Sequence, residues 1–112
     1  MEQGMSTQFN FVSVKKKSNI HFDGCSISHV IELKDGTKKT LGVILPTERP
    51  LVFETLVAER IEIVSGKCLV QIGNNDQSQT YYAGESFYVP KNTQFKIITD
   101  DIIDYVCHLE DR

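Results

Sequence analysis

The stretch Glu59-Arg-Ile-Glu-Ile-Val-Ser-Gly66 decides the fold of this chain, together with Gly84-Glu-Ser-Phe-Tyr-Val-Pro90 further along. Each stretch joins a short β-type run to a glycine, the pattern of a strand that borders a tight turn. Residues 59, 61 and 63 share one face of the first strand, so an inward Ile61 and Ile63 bring Glu59 inward with them. A carboxylate in an apolar interior needs a partner, a ligand or a proton. The alternative is that Glu59 lies near the mouth of the fold and stays hydrated.

Outward from these two stretches, short runs rich in Val, Ile, Phe and Tyr alternate with turn residues, and no segment shows a long helical stripe. Asp35-Gly36 is a strong hairpin signal. Pro46 and Pro50 bracket a segment that cannot be a central strand throughout, because proline donates no ladder hydrogen bond. The pattern predicts an all-β, antiparallel fold with strands over residues 19–22, 26–33, 38–45, 52–56, 60–64, 68–72, 85–89, 94–98 and 104–109.

Length and composition limit the class of protein. A chain of 112 residues with 40% hydrophobic residues forms one ordered domain, which we expect over residues 11–112 behind a flexible N-terminal tail at residues 1–10. A formal net charge of -3 gives no general attraction to nucleic acid. No apolar run is long enough to cross a membrane, and three cysteines without a CxxC spacing favour reduced thiols. We therefore expect a cytoplasmic protein without nucleic-acid or membrane partners.

The spacings Glu-x6-Gly and Gly-x5-Pro resemble those of a cupin, so we expect a single cupin (RmlC-like) antiparallel β-barrel or jelly roll. A metal-binding cupin has His-x-His three or four residues before the glutamate and a further histidine five residues beyond the proline. Phe53-Glu-Thr55 and Phe95 stand at those places. His21, His29 and His108 share no ligand spacing. The sequence therefore predicts no metal site.

Five segments together closely resemble the small cupin-like pyrimidine/purine nucleoside phosphorylases, from about Phe11 to Glu110. They are Asn19-Ile-His-Phe-Asp-Gly24, Asp35-Gly-Thr-Lys-Lys-Thr-Leu-Gly42, Glu59-x6-Gly66, Tyr82-Ala-Gly-Glu-Ser-Phe-Tyr-Val-Pro90 and Tyr105-Val-Cys107. The resemblance implies a pentosyltransferase of broad specificity, in which inorganic phosphate displaces the base of a purine or pyrimidine nucleoside to give free base and ribose 1-phosphate. It also implies a homodimer and no cofactor, phosphate being a co-substrate.

Two departures from the family pattern concern substrate range. Many relatives have Ser-Arg where this chain has Ser28-His29, so a cation is replaced by a group that is mostly neutral at pH 7. Relatives also tend to have Pro-Gly-Glu-Tyr-x-Phe before the Glu-x6-Gly motif, whereas the segment from Pro46 to Phe53 is two residues longer and lacks the tyrosine.

Cleavage of an N-glycosidic bond passes through an oxocarbenium-like sugar, so the site needs negative charge near the anomeric carbon and donors for phosphate. We expect Glu59 to be the catalytic residue, hydrogen-bonded to the ribose hydroxyls. The predicted substrate-binding residues are Phe87, Phe95 and Tyr105. The predicted phosphate-binding residues are Arg49, Arg60 and Lys91. Strand alternation turns Arg60 away from its own lumen unless it crosses a dimer interface.

The residues alone leave other functions open. One alternative is a metal-free cupin that binds a sugar or nucleoside without turnover. Another is a metal-dependent oxygenase or isomerase with unconventional ligands. The resemblance, and not the residue chemistry, favours the enzyme over the binding module.

Overall fold

The alternating pattern folds into eleven short strands over residues 7–110, the part of the chain that the computed structural model describes. The strands are β1 (Ser13–Val14), β2 (Asn19–His21), β3 (Ser26–Glu32), β4 (Lys38–Ile44), β5 (Leu51–Glu54), β6 (Ala58–Ser65), β7 (Lys67–Ile72), β8 (Gln79–Tyr82), β9 (Ser86–Val89), β10 (Gln94–Ile98) and β11 (Ile103–Glu110). A 3-10 turn at Phe22–Gly24 joins β2 to β3.

The strands form two sheets in which every pair is antiparallel. The larger sheet has the order β1-β3-β4-β11-β6-β9, with β2 also paired to β3, and the smaller sheet has the order β5-β10-β7-β8. Buried side chains from both sheets form one core, which includes Ile61, Ile63 and Phe87 from the larger sheet and Val70 and Ile97 from the smaller. The predicted all-β jelly-roll class is therefore confirmed. Strand pairing within the described residues gives a two-sheet sandwich instead of a closed barrel.

The two stretches that opened the sequence analysis are neighbours in space. Strands β6 and β9 pair antiparallel, with Glu59 opposite Val89 and Ile61 opposite Phe87. Gly66 ends the first stretch at a φ of +88°, and a Cβ there would lie 2.6 Å from the carbonyl oxygen of Ile102. Glycine at this turn is therefore required both by the left-handed backbone and by the close approach of the chain just before β11.

The nine predicted strands are present, with bounds that differ by no more than two residues from those observed. The predicted hairpin about Asp35-Gly36 joins β3 to β4. The backbone amide of Thr37 donates to Asp35 Oδ1 over 2.9 Å, which stabilises the turn. Strands β1 and β8 were not predicted, since the first has two residues and the second is largely polar.

The predicted N-terminal tail falls partly outside the described residues, which begin at Thr7. Residues 7–10 form no regular secondary structure. No helix in the described part of the chain is long and apolar enough to cross a membrane.

Candidate active site

The inner faces of the two sheets enclose a cavity of about 250 Å³. Its apolar lining comes from both sheets and consists of Ile44, Phe53, Ile61, Ile63, Phe95 and Ile97. Its polar and ionisable lining consists of Asn19, His21, Ser28, Thr40, Glu54, Glu59, Tyr105 and Cys107. An apolar cleft with a few converging polar groups is the usual form of a small-molecule site, so this cavity is the candidate active site.

Strand register aligns one row of cavity residues across the larger sheet. Asn19 pairs with Ser28, Ser28 with Gly42, and Gly42 with Tyr105. The Tyr105 ring lies directly over Gly42, because a Cβ built on that glycine would be 2.5 Å from the Tyr105 hydroxyl oxygen. Because Gly42 has no side chain, the Tyr105 ring can occupy the space above it.

The Tyr105 hydroxyl is the polar end of a mostly buried ring. Burial raises the pKa of Tyr105, and the nearby hydroxyls of Ser26 and Ser28 partly offset this rise. Ser26 is fully buried, and within residues 7–110 its Oγ has no hydrogen-bond partner at normal geometry. Because the phenol stays protonated at neutral pH, it is a hydrogen-bond donor inside the cavity.

A β-bulge adjoins Tyr105. The pairing of β11 with β6 shifts between Asp104, which lies opposite Ser65, and Tyr105, which lies opposite Ile63. Val64 is the extra residue. Bulges change the direction of side chains and are common beside functional sites. Beyond the bulge, where Asp104 lies opposite Ser65, the Ser65 hydroxyl donates to Asp104 Oδ2 over 2.7 Å.

Glu59 enters the cavity from β6, on the same face as the buried Ile61 and Ile63. The predicted facing of this strand is therefore confirmed. The Cys107 thiol donates to Glu59 Oε1 with a sulfur-to-oxygen distance of 3.2 Å. Burial raises the pKa of Glu59, and the hydrogen bond from Cys107 opposes that rise. The cavity wall thus carries a half-buried carboxylate that accepts a hydrogen bond from a thiol.

The positions where a metal-binding cupin carries histidines have other tasks here. Phe53 and Phe95 stack at a centroid distance of 5.2 Å with an interplanar angle of 14°, and both line the cavity. Thr55 is fully buried and lies outside the lining, where its hydroxyl donates to the Pro90 carbonyl over 2.6 Å and accepts from the Thr93 amide. No group of three or more His, Cys, Asp or Glu side chains within residues 7–110 is arranged to hold a metal ion.

The structure brings three of the predicted site residues together. Glu59, Phe95 and Tyr105 all line the cavity. Phe87 is buried behind it and packs edge-on against Phe95 at a centroid distance of 5.9 Å.

The three cations predicted to bind phosphate do not line the cavity. Arg49, Arg60 and Lys91 are exposed, and Arg60 Nε lies 3.6 Å from Glu110 Oε2 in an ion pair at the surface. Their role in phosphate binding stays a prediction.

Five polar lining residues were not predicted: Asn19, His21, Ser28, Thr40 and Glu54. The Asp35-Gly36 hairpin fixes which residues of β3 and β4 are opposite, so it could have linked Ser28 to Gly42. Asp23-Gly24 is a similar local signal for the pairing of β2 with β3, whereas the pairing of β4 with β11 has none.

The two departures from the family pattern lie in different places. His29 lies on the opposite face of the larger sheet, in an outer groove, and does not line the cavity. Phe53, the last residue of the lengthened segment, does line it and carries the ring stacked on Phe95. The lengthened segment is therefore the departure that reaches the candidate site.

Comparison with known proteins identifies the class to which this fold and cavity belong. A family model described as pyrimidine/purine nucleoside phosphorylase matches residues 16–109, and the chain belongs to that family. A protein of this name from Acinetobacter baumannii is 62% identical over 105 residues, covering 94% of this chain and 97% of the relative. Another, from a Janthinobacterium species, is 50% identical over 104 residues, covering 93% and 98% respectively.

A solved structure supports the fold as well as the family. The crystal structure of a protein of unknown function from an Acinetobacter species superimposes with a TM-score of 0.93 at 61% identity. The match covers 94% of this chain and 100% of that one. The two-sheet architecture described above is thus similar to one determined by experiment.

Proposed function

We propose that this protein is a pentosyltransferase that cleaves purine and pyrimidine nucleosides with inorganic phosphate, giving free base and ribose 1-phosphate. The observation that carries the proposal is that the Glu59 carboxylate and the Tyr105 phenol lie on one wall of the cavity, together with an apolar lining from both sheets. Family membership supports the reaction class. The cavity volume of about 250 Å³ lies just below the roughly 300–1,000 Å³ typical of small-molecule sites.

Glu59 would bind the ribose. An ionised carboxylate accepts hydrogen bonds from two adjacent hydroxyls, and its negative charge favours the oxocarbenium character that the sugar acquires as the glycosidic bond breaks. The Tyr105 hydroxyl would donate to the sugar from the neighbouring strand. Both interactions are with the part of the substrate that all nucleosides share.

The base would lie against the stacked rings of Phe53 and Phe95. These rings offer dispersion and stacking contacts, but they do not read the hydrogen-bonding edge of a base. Sites that lack edge-specific hydrogen bonds discriminate weakly between bases. An apolar base pocket therefore supports the broad choice of base that we propose.

Phosphate must reach C1′ of the ribose, where one of its oxygens forms the new bond as the C1′–N bond breaks and the base leaves with the electron pair and takes up a proton. Two sets of residues are candidates to hold phosphate. Arg49, Arg60 and Lys91 would have to approach from outside the cavity. The wall formed by β2, β3 and β4 offers the hydroxyl and amide donors of Asn19, Ser28 and Thr40, with the His21 imidazole beside them. The geometry favours this wall, and a raised KM for phosphate in His21→Gln but not in Arg49→Gln would support it.

The central test is phosphate-dependent release of uracil from uridine by wild type, Glu59→Gln and Glu62→Gln. Glu62 is a matched control because it lies on the same strand but faces outward, where its Oε1 is 2.9 Å from His108 Nε2. Loss of a hydrogen bond to a charged group costs about 1.5–3 kcal/mol, so Glu59→Gln should lower kcat/KM by roughly ten- to a hundredfold. Equal rates for wild type and Glu59→Gln would remove Glu59 from the mechanism.

The same assay separates this proposal from its alternatives. Saturable nucleoside binding without base release would indicate the binding module, and base release that ignores phosphate would indicate a hydrolase. We propose that no metal or organic cofactor is needed, and stoichiometric metal in protein purified without chelator would contradict this. The three cysteines are free thiols, which is compatible with the cytoplasmic location that we propose.

A further inference from the structure

We infer that Cys107 is a positioning residue for Glu59: its thiol donates a hydrogen bond that keeps the Glu59 carboxylate ionised and held against the cavity wall. The catalytic consequence rests on the proposed function, whereas the hydrogen bond itself can be tested without any activity. A buried free cysteine is otherwise a small core residue.

Register brings the two side chains together. Strands β6 and β11 pair so that Cys107 lies opposite Ile61 while Glu59 lies opposite Leu109. Cys107 and Glu59 are therefore diagonal neighbours on the same face of the sheet, a relation in which longer side chains can touch. The Sγ to Oε1 distance of 3.2 Å shows that they do. Within residues 7–110, no other side chain donates a hydrogen bond to Glu59.

The thiol is held in the form that can donate. Cys107 is 7% exposed. Burial first, and then the charge and hydrogen bonding of Glu59, raises the pKa of Cys107 above its ordinary value, so the sulfur keeps its proton at neutral pH. A protonated thiol is a donor and a poor nucleophile, and this fits a positioning role.

The contact opposes the effect of burial on Glu59. Without a donor, a carboxylate in this wall would take up a proton more readily, because desolvation disfavours its charged form. A protonated Glu59 would supply no negative charge to the sugar. The thiol therefore sustains the charge state that the proposed mechanism uses.

Several other ionisable groups surround this pair, so their contributions must be separated from that of Cys107. Tyr105 is two residues away on β11, Lys39 acts on Cys107 from the outer side of β4, and His21 on β2 and Glu54 on β5 line the same cavity. Lys39 Nζ is 2.9 Å from His108 Nδ1. Variants at Cys107 leave all of these groups in place.

Three substitutions at Cys107 distinguish a hydrogen-bond donor from a side chain that only fills space. Cys107→Ser keeps a donor, Cys107→Ala removes both donor and volume, and Cys107→Val keeps apolar volume without a donor. Carboxyl titration by carbon-13 NMR, with the Glu59 resonance assigned by its loss in Glu59→Gln, measures the pKa directly. We expect the Glu59 pKa to rise in Cys107→Ala and Cys107→Val, and Cys107→Ser to stay near wild type. An unchanged Glu59 titration in folded Cys107→Val would overturn the inference.

The pH profile of uracil release gives the second readout. Because the ionised carboxylate is the active form, activity falls as pH drops through the Glu59 pKa. The acidic limb of kcat/KM should therefore move to higher pH in Cys107→Val. At the acidic end of that limb, kcat/KM should be about tenfold lower than in wild type, and Cys107→Ser should have a wild-type profile. A limb shared by wild type and Cys107→Val, with only a uniform loss of rate, would leave Cys107 as packing alone. Absence of base release from wild type would defeat the proposed function, and the NMR titration would still decide whether the hydrogen bond exists.

Discussion

Glu59 is a single residue whose charge serves the proposed reaction but lowers the stability of the fold. The residue is the glutamate of the Glu-x6-Gly spacing. The positions where a metal-binding cupin has histidines hold Phe53, Thr55 and Phe95 here, whose side chains stack or hydrogen-bond within the fold. What the motif retains is a carboxylate in an apolar wall. Burial makes that carboxylate unfavourable in its charged form, so a function is the best reason for its presence.

Glu59→Gln should stabilise the fold at neutral pH while it lowers activity. The folded-state pKa of Glu59 is raised above its unfolded value, so the group favours folding at low pH and this contribution is lost as pH rises through the folded pKa. The neutral amide carries no such dependence. Thermal unfolding of wild type and Glu59→Gln should thus differ most above the folded pKa and converge in acid.

The Glu62→Gln variant is the control for this measurement, because the Glu62 carboxylate is half-buried on the outer face of the same strand, beside His108. A melting temperature for Glu59→Gln below that of wild type at neutral pH would show that the charged form of Glu59 supports the fold.

At the scale of strands, the residue pattern predicts where most strands lie but not which distant strands pair. Alternation in β6 and the Asp35-Gly36 turn gave strands and one hairpin, since both are local signals. The polar cavity wall also depends on the pairing of β4 with β11, which are about sixty residues apart in the chain, and this long-range contact has no signal in the sequence. Arg49 and Lys91 are near the motifs in sequence, but such proximity does not determine which face a side chain occupies.

Gly42 and Tyr105 provide a test of the strand row. Gly42→Ala would place a Cβ within 2.6 Å of three Tyr105 side-chain atoms, so the ring must move away from the Ser26 and Ser28 hydroxyls. We expect a loss of about 1–3 kcal/mol in the free energy of unfolding, as for overpacked cores, and slower base release. Denaturant unfolding and the uridine assay measure the two effects.

A double-mutant cycle isolates the cause. In a Tyr105→Ala background the added methyl meets no ring, so Gly42→Ala should be much less destabilising there. The same stability cost in both backgrounds would mean that Gly42 matters for its backbone and not for the space it leaves.

The whole molecule presents a second concave surface, on the outer side of the larger sheet. Apolar side chains line this groove of about 1070 Å³, among them Ile27, Leu41, Val43, Val64 and Val106. An outer face of an antiparallel sheet is usually polar when it meets water, and large apolar patches mark interaction sites. We propose that the predicted homodimer forms through this face, which pairs with itself about a two-fold axis.

Val64→Glu tests that face, because Val64 is 49% exposed at the bulge and a charge there would be buried by a partner. We expect wild type to have the mass of a dimer in light scattering and Val64→Glu to have that of a monomer. Leu69→Glu is the matched control, since Leu69 is 39% exposed on the smaller sheet. A dimer that survives Val64→Glu, or dissociates equally with Leu69→Glu, would place the interface elsewhere.

The position of Tyr105 in the cavity wall has an optical consequence. The chain has no tryptophan and four tyrosines, so its intrinsic ultraviolet emission comes from tyrosine alone. Tyr105 lines the cavity, whereas Tyr82 and Tyr88 are exposed. A nucleoside that binds in contact with Tyr105 would quench its emission, and Tyr105→Phe would abolish that part of the signal. The protein thus carries an unmodified fluorophore in its own pocket, which reports occupancy even where no bond is broken.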